Sequence, residues 1–529
     1  MKRFVGWWDW KAARKTVLSG LLFVLSFPRF EYDFLAWIAF IPLLFAIQNK
    51  ASSRRFLWGW ITGVVYFTGT LSWVTISMHH YGSLPWSVSY LLMLLLVAYL
   101  ACYVGLFALG CGCYSGSALI LWAPVLWTAL EYARGHLLSG FPWVSLGYSQ
   151  YRRLALIQIA DFASVYGVGF MIVLVNVALF RLLRAWRSIT AWKECAAVLL
   201  IVALAWAYGV GRLSQPAATP HTLSVAVVQG NIAQDQKWSQ DFRNATIETY
   251  KRLSLHVVRE ARPDLIVWPE SAIPFFFESD PQAQSDLLNL ARAGASHLLF
   301  GSPAFERTIP DTAQGTTPSA GLPDSGEQVH LFNSAYLLSP RGHITRYDKI
   351  HLVPFGEYVP FASLLFFVDK MVEGIGDFRP GREAVVADVQ GETVGTAICF
   401  EVIFPELVRR FVAGGATLMT TITNDAWFGD SAAPDQHFSM VIFRAIENRV
   451  PFARAANTGI SGFIDAEGRI LSRTALFTEA TQVASLYPGR RKTFYTTYGD
   501  LFAIVCVTLA AAGAIYGRAQ KMKGPLHVI

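Results

Sequence analysis

Charge is scarce in this chain: 15% of its residues are Asp, Glu, Lys or Arg against 53% hydrophobic, with a mean hydropathy of +0.37. So few charges cannot solvate a globular chain of 529 residues, which excludes an ordinary cytosolic enzyme as well as disordered and coiled-coil architectures. Basic residues outnumber acidic ones, 44 to 37, but no Lys/Arg stripe with interleaved aromatics is present, and nucleic acid is excluded as a partner. Metal-ligand spacing is missing too. His343, His351 and His437 stand far apart and no Cys/His pair occurs, so neither a metal nor another cofactor is expected. There is no phosphate-cradling motif. No small-residue cleavage site follows the apolar run at 17–27, so that run reads as an uncleaved helix rather than a secretory signal.

Long apolar runs are what the chain has instead. Seven precede residue 213, at 17–30, 34–48, 56–78, 86–110, 117–132, 162–180 and 196–211, and an eighth lies at 501–516. They predict eight transmembrane helices, the first two short, and 17 Trp, 37 Phe and 20 Tyr suit aromatic belts at the membrane surfaces. Lys and Arg are retained on the cytoplasmic side during insertion, and they cluster at Lys50/Arg54/Arg55, Arg181/Arg184/Arg187/Lys193 and Arg518/Lys521/Lys523. Both termini are therefore expected in the cytoplasm and the long polar segment after the seventh run outside it. Gly59-x-x-x-Gly63 and Gly112-x-x-x-Gly116 have the spacing of close helix packing. Glu131 and Arg134 read as a mutual pair at the membrane interface.

The texture changes between residues 221 and 497. Short β-branched runs at 222–229, 264–268, 297–301, 331–338, 393–399 and 416–423 predict buried strands. Amphipathic stretches at 239–260, 281–293, 405–413 and 434–449 predict helices between them. This alternation argues for an α/β domain, interrupted by a Gly/Pro/Ser/Thr-rich surface insertion at 311–326. The expected organisation is a seven-helix membrane region (1–213), an inserted α/β domain (221–497), and a last membrane helix with a tail (498–529).

Of six cysteines, Cys399 alone falls in the inserted domain. A lone thiol is either a buried small hydrophobe or a nucleophile, and its context favours the second. It ends the apolar run at 393–399 and precedes Phe400, Glu401 and a Pro405 helix start, which places it at a strand-to-helix turn. A thiol with an ordinary pKa near 8.5 needs a base and a cation from elsewhere in the chain. Glu270 ends the apolar run DLIVWPE, and Lys349 precedes a Pro-punctuated loop in YDKIHLVPFGEYVP. Each alone would pass for a solvated surface charge.

Together and in this order, VWPES, YDKIHLVPFGEYVP and ICFE resemble the Glu-Lys-Cys motifs of the nitrilase superfamily. With the flanking apolar runs and the segments QGNIAQDQKW, TITNDAWFGD and RAIENRVPFARAANTGISG, the whole chain resembles the membrane-embedded branch of that superfamily, the apolipoprotein N-acyltransferases. The resemblance implies an α-β-β-α sandwich on the periplasmic face of the bacterial inner membrane, a phospholipid acyl donor and a diacylated apolipoprotein acceptor, and a monomer is expected. It implies Glu270 as general base, Lys349 as stabiliser of thiolate and oxyanion, and Cys399 as the acylated nucleophile, with ping-pong transfer through a thioester. Glu357 and Glu401 are the supporting carboxylates and Trp238 lines the entrance. The residue after the nucleophile, Tyr in the family pattern, is Phe400, so a phenol cannot act there. Phe275, Phe276 and Phe277, with Phe366 and Phe367, are expected in apolar loops that guide acyl chains, although such runs would be core or dimer interface in a soluble protein. The alternative is a membrane-tethered amidase with water as acceptor. A transporter or lipid receptor fits less well, because the apolar runs lack a set of buried charges.

Overall fold

The computed structural model describes residues 9–82, 84–215, 221–233, 243–308, 328–358 and 378–522. The insertion at 311–326, together with Trp238, Phe366 and Phe367, lies outside them.

The N-terminal region is helical. Its main helices are α1 (Trp10–Leu25), α2 (Phe40–Ile47), α3 (Ser52–Leu71), α4 (Trp86–Gly110), α5 (Ala118–His136), α6 (Ala160–Arg184) and α7 (Ile189–Leu213). Three described helices are long and apolar enough to cross a bilayer, spanning Trp86–Cys113, Ala160–Arg184 and Ile189–Leu213. The other apolar runs are accommodated differently. α1 has only 16 residues, of which three are Lys11, Arg14 and Lys15. The second run is split between a 3₁₀ turn at Asp33–Trp37 and the eight-residue α2. The third bends by 57° between Ser52–Leu71 and Val74–His80, and α5 contains Pro124.

The two small-residue motifs part company. A Cβ on Gly59 would lie 2.4 Å from that of Ala108, and one on Gly63 would lie 2.7 Å from the Cα of Ala101, so this pair lets α3 and α4 touch backbone to backbone. Gly112 and Gly116 lie instead beyond the end of α4, in a 3₁₀ turn and the loop after it, where Gly112 makes room for the Arg55 guanidinium of α3.

Among the described residues the inserted domain has two six-stranded sheets. The strands are β1 (Leu223–Gln229), β2 (Leu265–Val267), β3 (His297–Thr308), β4 (Gln328–Leu338), β5 (Ile344–Asp348), β6 (Val386–Val389), β7 (Glu392–Ile398), β8 (Leu418–Thr423), β9 (Phe452–Ala456), β10 (Gly462–Ile464), β11 (Ile470–Arg473) and β12 (Ala480–Leu486). Their orders are β12-β1-β2-β3-β4-β5 and β11-β10-β9-β8-β7-β6. In each sheet three central strands run parallel, β1-β2-β3 and β7-β8-β9, and antiparallel strands finish the edges. Period-two alternation sorts the layers. Leu265, Val267 and Leu299 face the second sheet's core, while Ile266, Trp268, Leu298 and Phe300 face α8 (Arg243–Ala261) and α9 (Pro281–Gly294). α10 (Pro405–Ala413) and α11 (Ala433–Asn448) belong to the core around the second sheet, completing a helix-sheet-sheet-helix stack. The last helix, α12 (Leu501–Met522), returns to pack on α5 and α6.

α11 carries the junction between the two regions. Its apolar side faces the sheet, as its spacing predicts, but its polar side is buried as well, against the N-terminal helices. Glu447 accepts from the Ser164 hydroxyl (2.6 Å) and the Val165 N–H (3.0 Å) at a break in α6. Arg449, just beyond α11, pairs with Asp161 at 2.7 Å. Glu131 and Arg134 are a buried pair 3.9 Å apart, and Arg134 donates to the carbonyls of Phe141 (3.0 Å) and Trp143 (2.7 Å).

Candidate active site

Three strand ends converge where the sheets meet. The chain leaves β2 through Trp268 and Pro269, and Glu270 is followed by Ser271 at φ +49°. This turn lies hard against β3: a Cβ on Gly301 would be 2.7 Å from the Cα of Glu270, so only glycine lets the two backbones approach. Lys349 follows β5, its N–H bonded to the Asn333 carbonyl at 2.8 Å. Cys399 follows β7 at φ +51°, a left-handed conformation that is costly for a residue with a side chain.

Glu270, Lys349 and Cys399 are all buried, and the Lys349 side chain is only 1% exposed. Its Nζ donates to Oε1 of Glu357 at 3.0 Å and to Oε1 of Glu270 at 3.4 Å. The same two oxygens accept from Nδ2 of Asn333, at 2.6 and 2.8 Å. An ammonium and an amide thus bridge two carboxylates. The outer oxygens are held by main-chain donors, Oε2 of Glu270 by the Asn424 N–H (3.0 Å) and Oε2 of Glu357 by the Val353 N–H (2.7 Å). Such an arrangement tolerates burial because its polar atoms are paired.

Electrostatics follow from that geometry. Burial works against the Lys349 charge, but Glu357 and Glu270 outweigh it and raise its pKa well above the ordinary lysine value. Burial pushes the Cys399 thiol up and the Glu270 charge adds to the rise, while Lys349 opposes it. The Cys399 thiol thus lies in the field of a carboxylate and an ammonium, and burial favours its protonated form.

Glu401 lies beside Cys399. Its Oε2 accepts from the Ile398 N–H (2.7 Å), and its Oε1 from the Tyr347 hydroxyl (2.7 Å) and the N–H groups of Ile350 (2.6 Å) and His351 (3.1 Å). It ties the Lys349 loop to the Cys399 turn. Burial pushes its pKa up to about 7 although these donors oppose the shift. Phe400 is buried and contacts Phe404 (ring centroids 5.3 Å apart) and His351 (5.9 Å), an aromatic wall without a hydroxyl.

The three phenylalanines after Glu270 have separate places. Phe275 lies under the Arg243 guanidinium at 3.4 Å and Phe276 packs edge-on to Phe305. Phe277 is core: it is buried against Phe300 and Tyr336 and is not on a lipid-facing loop.

Asn333 escaped the sequence reading because nothing marks it as polar-inward until β4 is seen to run past both carboxylates. Asp425 and Arg454 escaped it too, and His437 was weighed only as a metal ligand. Asp425 pairs with Arg454 at 2.7 Å and with His437 at 3.2 Å behind the Cys399 turn. Burial opposes ionisation of Asp425, yet Arg454 and His437 hold its pKa well below the usual carboxylate range. The segment TITNDAWFGD around it was the available signal.

Residues 19–178 match the family described as apolipoprotein N-acyltransferase N-terminal domain, and residues 224–494 match carbon-nitrogen hydrolase. The chain is 47% identical to an apolipoprotein N-acyltransferase of Geobacter metallireducens, covering 96% of this chain and 95% of that one. It is 32% identical to the protein of the same name from Haemophilus influenzae, over 92% and 91% of the two chains. Among solved structures, an amidase of the nitrilase superfamily from Nesterenkonia aligns at 18% identity and a TM-score of 0.36, covering 52% of this chain and 94% of that one. With both halves matched and nearly its full length shared with proteins of that name, this chain belongs to the apolipoprotein N-acyltransferase family.

Proposed function

We propose that this chain is a bacterial inner-membrane enzyme that moves a fatty acyl chain from a glycerophospholipid to the N-terminal amine of a lipoprotein's diacylglyceryl-cysteine, by way of a Cys399 thioester. The observation that carries the mechanism is the Lys349 ammonium held between the Glu270 and Glu357 carboxylates beside a neutral Cys399 thiol. Sγ attacks the ester carbonyl while Glu270 takes the thiol proton. Lys349 stabilises the sulfur's negative charge and then the oxyanion. The carbonyl re-forms, the carbon–oxygen bond to glycerol breaks, and Glu270 returns the proton to the departing oxygen as lysophospholipid leaves. In the second half the amine attacks the thioester, Glu270 accepts its proton, the carbon–sulfur bond breaks, and the sulfur is reprotonated as the amide leaves. The Glu357, Asn333 and Glu401 contacts support a role in holding the base, the cation and the nucleophile in register. The apolar helices of the N-terminal region favour a lipidic substrate over the amidase alternative, for which they would be superfluous.

In this reading eight apolar segments lie in the membrane, seven within residues 1–213 and one in 498–529, with the sandwich of 221–497 on the periplasmic side and both termini in the cytoplasm. The Lys/Arg clusters support that orientation. Trp238, Phe275, Phe276, Phe366 and Phe367 are assigned to the acyl-chain entrance, and the enzyme acts as a monomer. The test is to incubate purified protein with phosphatidylethanolamine alone and weigh it intact. A hydroxylamine-sensitive fatty-acyl adduct is expected on Cys399 and is lost in Cys399→Ala; a folded wild-type protein that gains no adduct would refute the mechanism. Reporter fusions at residues 215 and 529 should report opposite sides of the membrane.

A further inference from the structure

His437 takes no part in the chemistry above, yet it is fully buried and its ring touches the nucleophile's own backbone. Its Nε2 lies 3.2 Å from the Cys399 carbonyl oxygen. Its Nδ1 lies 3.0 Å from Nη2 of Arg454 and 3.2 Å from Oδ1 of Asp425. Burial and the Arg454 charge hold its pKa below the ordinary value, against the opposing pull of Asp425. A backbone carbonyl can only accept, so Nε2 carries a proton and donates it to Cys399, while Nδ1 lies between the Arg454 donor and the Asp425 acceptor. Asp425 keeps Arg454 in place through its other oxygen at 2.7 Å. The opposite face of the imidazole stacks on Trp143, with ring centroids 5.4 Å apart. That tryptophan belongs to the N-terminal helical region. Its indole N–H donates to Oε1 of Gln436 on α11 (2.7 Å), and its carbonyl accepts from Arg134 of α5 (2.7 Å).

We infer that His437 is a positioning residue for the nucleophile: its Nε2–H holds the Cys399 carbonyl and so maintains the left-handed turn that presents Sγ, while Trp143 of the helical region clamps the imidazole from behind. The residue in question is strained, at φ +51°, and a strained turn persists only when its surroundings over-determine it. The membrane-side helices thereby complete the active site of the sandwich domain through a four-part contact from Arg134 to Trp143 to His437 to Cys399.

This inference rests on acyl transfer through Cys399, and its test separates the two. Full-length protein in detergent–phospholipid micelles is acylated over a range of phosphatidylethanolamine concentrations. Iodoacetamide labelling of Cys399 is followed in parallel by peptide mapping. His437→Met removes the donor at similar volume, and the limiting acylation and alkylation rates should fall by about tenfold or more, with the half-saturating phospholipid concentration within about twofold of wild type. His437→Gln retains a donor at the same reach and should keep the limiting rate within about threefold. Trp143→Leu, with His437 intact, should slow acylation by about threefold or more without weakening phospholipid binding. A wild-type rate in His437→Met overturns the inference, as does a folded His437→Gln that is as slow as His437→Met. If the methionine variant does not fold, the glutamine variant decides: a loss beyond about tenfold overturns it, and near-normal acylation upholds it. Failure of the wild type to form any adduct would instead strike at the thioester mechanism.

Discussion

Lys349→Met tests the charge balance of the site. The native ammonium is 1% exposed and touches carboxylate oxygens at 3.0 and 3.4 Å. Methionine fills most of its volume and supplies no charge, leaving the Glu357 and Glu270 oxygens close together and bridged by Asn333. Removing one partner from a buried ionic cluster costs about 3–5 kcal/mol at neutral pH, because the remaining charge stays desolvated. At about 2–4 °C per kcal/mol for a large domain, that corresponds to a fall of roughly 6–20 °C in the apparent melting midpoint. The pH dependence fixes the interpretation. In the variant, one carboxylate must take up a proton to relieve the repulsion, so its folded-state pKa rises above the unfolded value near 4.3. A group raised in this way favours the folded state below its unfolded pKa and loses that contribution as pH rises through the folded one. The stability gap to wild type should therefore narrow as pH is lowered from 8 towards 5. Wild-type Lys349, itself raised, keeps its contribution throughout this window, since its unfolded pKa lies near 10.4. Acyl-adduct formation should drop by about 10²–10³-fold, the scale of removing an electrostatic stabiliser of an oxyanion. The assays are melting curves at pH 5, 6.5 and 8 with intact mass after incubation with phosphatidylethanolamine. An equal gap at every pH, or undiminished acylation, would refute the reasoning.

Three further outcomes are expected. Asn333→Leu strips one donor from each carboxylate and should slow acylation by about tenfold, with about 1–3 kcal/mol lost in thermal unfolding; a wild-type rate would show that Lys349 alone sets the register. Glu401, with its pKa pushed up to about 7, favours folding below about 4.5 and loses that contribution as pH rises through about 7; the stability of wild type relative to Glu401→Gln should therefore decline over that window, and a constant difference would argue against the shift. Gly59→Ala places a methyl 2.4 Å from Ala108 and 2.5 Å from the Val104 carbonyl and should cost about 1–3 kcal/mol, whereas Gly211→Ala, with no atom within 4 Å of the new Cβ, should melt like wild type or about 1 kcal/mol higher.

The local physics of the sandwich domain was readable in its residues. Parallel strands buried on both faces are short apolar runs wherever they occur, so β1, β2, β7 and β8 were legible to within about two residues, as were α9, α10 and α11. β5, β6, β11 and β12 were not, since they are partly exposed edge strands, nor was β9, which mixes Arg454 with apolar residues, nor β10, which is only three residues long. The membrane region was legible only as apolar runs, since hydropathy registers their length but not the 57° bend after Leu71 or the 3₁₀ break before α2.

The sequence by itself determined which residues could carry the reaction: Glu270 and Cys399 each end an apolar run and Lys349 opens a Pro-punctuated loop, in the order the nitrilase superfamily uses. Only the tertiary structure decided what holds them. Lys349 meets an acid 79 residues away, Glu270 takes an N–H from a residue 154 positions distant, and Trp143 reaches α11 across 293. Pairing at such separations leaves no periodic trace in the chain, for a polar residue facing a buried partner has the same local pattern as one facing water. The polar side of α11 makes the point: its Gln436, Arg444 and Glu447 read as solvent-facing, yet the N-terminal helices cover all three.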